Sequence, residues 1–202
     1  MERGQHREIG LFGGSFNPVH TGHVALARQL LEAAGLDEVW FMVSPQNPLK
    51  RQTDLLDDSL RLEMVREALK GEPRMKACDD EFALPRPSYT WNTLQALGQR
   101  YPLCRFTLLV GGDNWAAFSR WYRYRDILDH YRVAVYPRPG SVIGEAALPA
   151  SVMLVKARLM DISSTEIRRR IAAGLPVSGW LDPGVERIVR ERNLYAFSPK
   201  AT

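Results

Sequence analysis

Residues able to do chemistry gather in one stretch of the 202-residue chain, Ile9 to His23, which reads IGLFGGSFNPVHTGH. Gly13 and Gly14 close a short apolar run, Ser15 and Phe16 follow, and His20 and His23 stand three residues apart around Gly22. Bare backbone N–H groups at a glycine turn leading into a helix suit a polyanion, and two imidazoles add ring donors that can become cationic beside it. Glycines after a strand also serve turns that need a positive φ, so the turn alone is weak evidence. The stretch lacks the G-x-G-x-x-G spacing of dinucleotide sites. A His-x-x-His pair could be half of a zinc site, but no Glu lies between the two, and His6 and His130 add no matching ligand spacing. Two histidines capping a helix remain the plain alternative.

A second anion site is readable in DISSTEIRRRIAAG, Asp161 to Gly174. Ser163, Ser164 and Thr165 offer hydroxyls at a helix start, and Ser163 with Glu166 forms a capping-box pattern. Arg168 lies one turn further in. A cation near the positive end of a helix dipole is disfavoured by about 0.3–1 kcal/mol, and an anionic ligand between them would reverse that sign.

The elements that must position these residues alternate. Strands are expected at Ile9–Phe12, Val39–Val43, Met75–Cys78, Phe106–Val110, Tyr131–Tyr136 and Val152–Val155. Helices are expected after His23, after an Asp58 or Ser59 cap, and after Ser88 or Thr90. Others follow as an aromatic helix carrying Trp115, Phe118, Trp121 and Tyr122, then from the Ser163 region and from Asp182 or Pro183. Prolines stiffen the loops at SPQNPLKRQ and Leu84–Pro87, while Ser141 to Pro149 reads as loop or short helix. This order implies an α/β fold, a Rossmann-like doubly wound and mostly parallel sheet with helices on both faces. Residues 1–202 form one domain, with 161–202 as a small C-terminal helical segment. Ligands then bind beyond the carboxyl ends of the strands, which puts the glycine turn, Asp113, Arg138 and the Ser-Ser-Thr segment on one rim.

Composition is ordinary for a soluble globular protein. Net charge is +4, with a sequence pI near 9.2 and a mean hydropathy of -0.26. The mild basic surplus fits phosphate-bearing ligands as well as nucleic acid, and the run Arg168–Arg170 reads as a solvated helix face. No apolar run approaches the roughly 18 residues of a membrane span, and the N-terminus has no signal-peptide pattern. Cys78 and Cys104 lack metal-ligand spacing and read as reduced thiols of a cytoplasmic protein.

Taken together, GGSFNPVHTGH and ISSTEIR resemble the adenylyltransferase branch of the HIGH-type nucleotidyltransferases, and more closely the bacterial nicotinate mononucleotide adenylyltransferase family. That family's first motif usually reads GGTFDPVHxGH, so Ser15 and Asn17 stand at its Thr and Asp. Its SYTxDTL appears as Ser88 to Leu94 with Asn92 at the Asp. Its GAD and following Trp appear as Gly111-Gly112-Asp113 and Trp121, its Arg-Pro-Gly as Arg138 to Gly140, and its terminal Leu-Tyr as Leu194-Tyr195. The family's Pro-Pro-His-Lys loop is here Asn47-Pro48-Leu49-Lys50, without the histidine.

The resemblance implies transfer of the adenylyl group of ATP to nicotinate mononucleotide, by in-line attack without a covalent intermediate, giving nicotinate adenine dinucleotide and pyrophosphate in NAD biosynthesis. It implies His20, His23, Thr165 and Arg168 as catalytic residues. Gly13, Gly14, Ser15, Phe16, Gly111, Asp113, Arg138, Ser163 and Ser164 would bind ATP. Asn47, Lys50, Tyr89, Thr90, Trp121 and Tyr122 would bind the mononucleotide. Mg²⁺ would be held mainly through the ATP phosphates, with no dedicated protein metal site. Neither nucleic acid nor membrane is implied as a partner; a homo-oligomer is compatible with the sequence, which does not specify one. Pantetheine-phosphate or cytidylyl transfer on the same scaffold, and a silent nucleotide-binding module, are the competing readings. A tRNA-charging enzyme shares the His-x-Gly-His logic, but the chain has no anticodon domain and no KMSKS-like loop.

Overall fold

The structure, a computed structural model, describes residues 6–45, 55–138, 140, 143 and 148–196. Six parallel strands form one sheet: β1 (Arg7–Gly14), β2 (Glu38–Val43), β3 (Met75–Cys78), β4 (Cys104–Gly111), β5 (Arg132–Tyr136) and β6 (Val152–Leu154). Their spatial order is β3-β2-β1-β4-β5-β6, with Leu11 opposite Trp40 on one side and Leu108 on the other. The strand order reverses between β1 and β4, which leaves a crevice beyond their carboxyl ends. The expected doubly wound parallel sheet is present.

Alternation along the strands feeds two cores. Phe12, Phe41 and Leu109 face α1 (Thr21–Ala33), α2 (Asp58–Ala68), α6 (Ser164–Ala172) and α7 (Pro183–Glu191), where Leu30, Met64, Ile167 and Val185 are fully buried. Ile9, Leu11 and Leu108 face α3 (Thr90–Arg100) and α5 (Tyr124–His130), whose Leu94, Leu97 and Ile127 are equally buried. Each such side chain contributes about 1.5–3 kcal/mol by leaving water. The C-terminal helices are part of this packing. A Cβ on Gly184 at the start of α7 would run into the Glu67 side chain of α2, which would have to shift to admit a larger residue. No helix among the described residues is long and apolar enough to cross a membrane.

Several local expectations shift. β1 runs to Gly14, so both glycines lie inside the strand and neither has a positive φ; Phe16 takes the left-handed conformation instead, at φ 45°. Gly14 is required for a different reason, since a Cβ there would meet the Phe16 ring at 2.9 Å. α2 is capped by Asp57, whose Oδ1 accepts from the Ser59 N–H at 2.9 Å; Asp58 and Ser59 already lie within the helix. α3 has Tyr89 as its capping residue with no side-chain cap bond, because the Ser88 hydroxyl turns inward to Glu81.

The expected single aromatic helix breaks into α4 (Gly112–Ala116) and a 3₁₀ turn, Phe118–Arg120, with Trp121 in extended backbone. Phe118 is buried, and Trp115 and Trp121 stack on it at 5.0 and 4.9 Å, so hydrophobic packing rather than helical period spaces these rings. α5, which had no counterpart among the expected helices, starts after Arg123 in the left-handed region at φ 55°. Cys78 and Cys104 are free thiols.

Candidate active site

A cleft of about 280 Å³ opens beyond the carboxyl ends of β1 and β4. Its floor is the first turn, Gly13 to Phe16, with His23. Gly111, Asp113 and Arg138 line one wall, and Tyr89, Thr90, Trp121 and Tyr122 line another. Ser164, at the start of α6, reaches the edge. The topology thus brings together segments far apart in the chain, from Leu11 to Ser164.

The histidines are locked by the helix they begin. His20 is the capping residue of α1 and His23 its third residue. The His20 backbone N–H donates to His23 Nδ1 at 3.2 Å, which places the ring proton of a neutral His23 on Nε2. The two rings stack with centroids 3.6 Å apart, and the Phe16 ring meets His23 edge-on at 5.2 Å. Gly22 leaves room for this stack: a Cβ there would lie 3.0 Å from His20 Nδ1. Burial, reinforced by the Arg138 charge, pushes His20 down to about 4. Burial pushes His23 down as well, followed by the effects of His20 and Arg138. Both rings are therefore neutral at pH 7 in the chain by itself, and a bound phosphate would favour the charged form.

Beside them, α6 is tied to the first turn. Its cap is Ser163, whose Oγ accepts from the Glu166 N–H at 3.2 Å; the other half of the capping box is missing because Glu166 pairs with Arg169. Ser164 Oγ donates to the Pro18 carbonyl at 2.9 Å, and Arg168 Nη1 donates to the Asn17 carbonyl at 2.8 Å. That carbonyl supplies a partner for the cation near the helix start, so Arg168 does not need a ligand anion to account for its place. Ser163 and Thr165 are exposed beside the cleft, and His20, Ser163, Thr165 and Arg168 stand outside its lining. Asn17 itself is buried, and its Oδ1 accepts from the Tyr195 hydroxyl at 2.9 Å and the Leu56 N–H at 3.4 Å.

On the opposite wall, Gly111 admits two side chains at once, since a Cβ would lie 2.7 Å from Asp113 Oδ1 and 3.1 Å from Arg138. Asp113 sits inside the first turn of α4 and makes no cap; its carboxylate lies 3.9 Å from Arg138 Nε. At the far wall, Tyr89 and Tyr122 are exposed and their rings meet at 5.0 Å. Asn47 and Lys50 lie outside the described residues.

Three groups near the cleft were not singled out from the sequence. Glu81 lines it, buried, and accepts from Thr93 Oγ1 at 2.8 Å and Ser88 Oγ at 3.3 Å; burial pushes its carboxyl up against the pull of these hydroxyls and of Ser44. Arg61 is fully buried and donates to the carbonyls of Leu56, Ser15 and Ser44, pairing with Asp58. Its signal was available: position 61 shares a helix face with Met64 and Val65, so a cation pointed at the core. Arg120 lines the cleft beside Trp121.

The cytidylyltransferase-like family model matches residues 11–170. Probable nicotinate-nucleotide adenylyltransferases of Bacteroides fragilis and Bacteroides thetaiotaomicron are each 48% identical to the chain. The first match covers 91% of this chain and 92% of the relative; the second covers 95% of both. Among solved structures, the Plasmodium falciparum nicotinic acid mononucleotide adenylyltransferase complexed with NaAD aligns with a TM-score of 0.77 at 18% identity, covering 96% of this chain and 99% of that one. A putative nicotinate-nucleotide adenylyltransferase from Vibrio parahaemolyticus aligns at 0.69 and 22% identity, over 95% and 97%. These two likenesses bear on the fold. Fold and site together define a nucleotidyltransferase, and the chain belongs to the cytidylyltransferase-like family, in its nicotinate-nucleotide adenylyltransferase branch.

Proposed function

We propose that the chain transfers the adenylyl group of ATP to nicotinate mononucleotide, releasing pyrophosphate and forming nicotinate adenine dinucleotide, a step of NAD biosynthesis. The observation that carries this reading is the cleft itself. One continuous space joins a fixed imidazole donor at the first turn to an aromatic wall beside the start of α3. Names and coverage of the close relatives support the substrate pair.

The mononucleotide phosphate attacks the α-phosphorus of ATP in line, so no protein nucleophile is required. Catalysis is then positioning and charge stabilisation. His23 donates from Nε2 to an α-phosphate oxygen, with His20 stacked behind it. The β- and γ-phosphates run outward along the start of α6, where Ser163, Ser164, Thr165 and Arg168 meet them. Gly13, Gly14, Ser15 and Phe16 shape the phosphate floor, and Gly111, Asp113 and Arg138 receive the adenosine. Trp121 stacks on the pyridine ring, and Tyr89, Thr90 and Tyr122 address its carboxylate; Asn47 and Lys50 are assigned to the mononucleotide on the motif alone.

The donors at the phosphate end are imidazole, hydroxyl and N–H groups, which suit phosphate oxygens. No cluster of three or more His, Cys, Asp or Glu is found among the described residues. Mg²⁺ would be held mainly through the ATP phosphates and would offset their charge. Free Cys78 and Cys104 suit a reducing cytoplasm.

Pyrophosphate release measured with ATP and Mg²⁺ against four acceptors tests the reading. Nicotinate mononucleotide is expected to react best, its amide more slowly, and phosphopantetheine and choline phosphate not at all. Absence of release with either pyridine mononucleotide would overturn it.

A further inference from the structure

The pyridine end of the cleft holds one carboxylate and one uncommitted cation, and their chemistry pulls in opposite directions. Glu81 is buried in the lining and presents acceptor oxygens; when ionised it also repels an anion. Both properties favour a carboxamide over a carboxylate on the bound ring. Arg120 opposes this. It closes the 3₁₀ turn Phe118–Arg120, which is pinned on both sides because Phe118 is buried and Trp121 packs on it at 4.9 Å. Arg120, held between these anchors, lines the cleft.

Nearby arginines are engaged: Arg138 lies 3.9 Å from Asp113, Arg123 pairs with Asp126, and Arg125 lies over the Tyr124 ring. The Arg120 guanidinium makes no ion pair, hydrogen bond or ring contact among the described residues. A planar fork of donors left unpaired at a ligand cleft matches a carboxylate.

We propose that Arg120 is a specificity-determining residue, supplying the charge by which this cleft prefers a pyridine ring bearing a carboxylate over one bearing a carboxamide. The proposal rests on the reading of the cleft as a pyridine mononucleotide site. The positive end of α3 at Thr90 acts in the same direction, and Arg120 adds a full charge to that partial one.

The test is the ratio of kcat/KM for nicotinate mononucleotide to that for its amide, in the wild type and in Arg120→Met and Arg120→Lys. Binding of each mononucleotide is measured in parallel by calorimetry. The Met variant is expected to lower the acid-to-amide ratio about tenfold, the scale of one charge-assisted hydrogen bond. The Lys variant keeps the charge but not the fork, and should restore the ratio in part. Arg120 is largely exposed, and unchanged thermal unfolding of the variants separates lost recognition from lost folding. A wild type that prefers the acid, with a Met variant keeping that preference, overturns the proposal alone. An equal fall for acid and amide also overturns it, assigning Arg120 to the phosphate both substrates share. A wild type that binds and turns over neither mononucleotide brings down the reading of the cleft and the proposal with it.

Discussion

The two ends of the cleft are built differently. At the phosphate end the groups hold one another: His23 accepts from the His20 backbone, Ser164 donates to Pro18, and Arg168 donates to Asn17. Phe16 in the floor is 2% exposed, and His20, stacked behind His23, is 7% exposed. At the pyridine end the aromatic rings stand open, Tyr89 at 37% and Tyr122 at 50%. A donor fixed before the substrate arrives costs no reorganisation during reaction, whereas an open aromatic wall can adapt to a flat ligand. Damage to the first end should therefore appear mainly in kcat, and damage to the second in KM.

The sharpest break is His23→Ala. Steady-state kinetics should show kcat down about 100- to 1000-fold with both KM values changed far less. Trp121→Ala attacks the other end. Its KM for the mononucleotide should rise roughly tenfold or more, the worth of one aromatic stack, with kcat much less affected. A large kcat loss in that variant would erase the contrast.

The two neighbouring glycines sharpen the comparison. Gly14→Ala drives a Cβ to 2.9 Å from the buried Phe16 ring, while Gly13→Ala meets no atom within 4 Å. Thermal unfolding should show about 1–3 kcal/mol of destabilisation for the first and little for the second.

The smallest effect concerns pH. His20 is held near 4, below its unfolded value of 6.5, so the unfolded chain binds more protons between those values. Stability is fully present above 6.5 and falls with pH through that window, by about 1 kcal/mol between pH 6.5 and 5.5 from this one group. Chemical denaturation of His20→Asn should give a flatter profile over that range.

What could be read from the residues divides along similar lines. β2 and β4 were legible as apolar runs between turn signals, β3 only weakly, and the His-x-Gly-His and Ser-Ser-Thr segments as compact motifs. α5 was not, because seven residues reading YRDILDH carry too few turns for a period to show. The aromatic spacing of Trp115, Phe118 and Trp121 imitates a helix that the chain breaks in order to stack those rings. The Asn17 carbonyl that Arg168 reaches, 151 residues earlier, could not be read from the Ser-Ser-Thr segment itself. Glu81 and Arg61 gain their meaning only through partners brought by other elements, Thr93 and Ser88 in one case, Ser15 and Ser44 in the other.

Direct transfer at the His23 end is the central claim, and stereochemistry tests it most directly. The reaction is run with one diastereomer of adenosine 5′-(1-thiotriphosphate) and nicotinate mononucleotide, and the configuration at the α-phosphorus of the dinucleotide is determined. A single in-line attack inverts that centre. Retention would mean two displacements through a covalent adenylyl-enzyme, and would contradict the account.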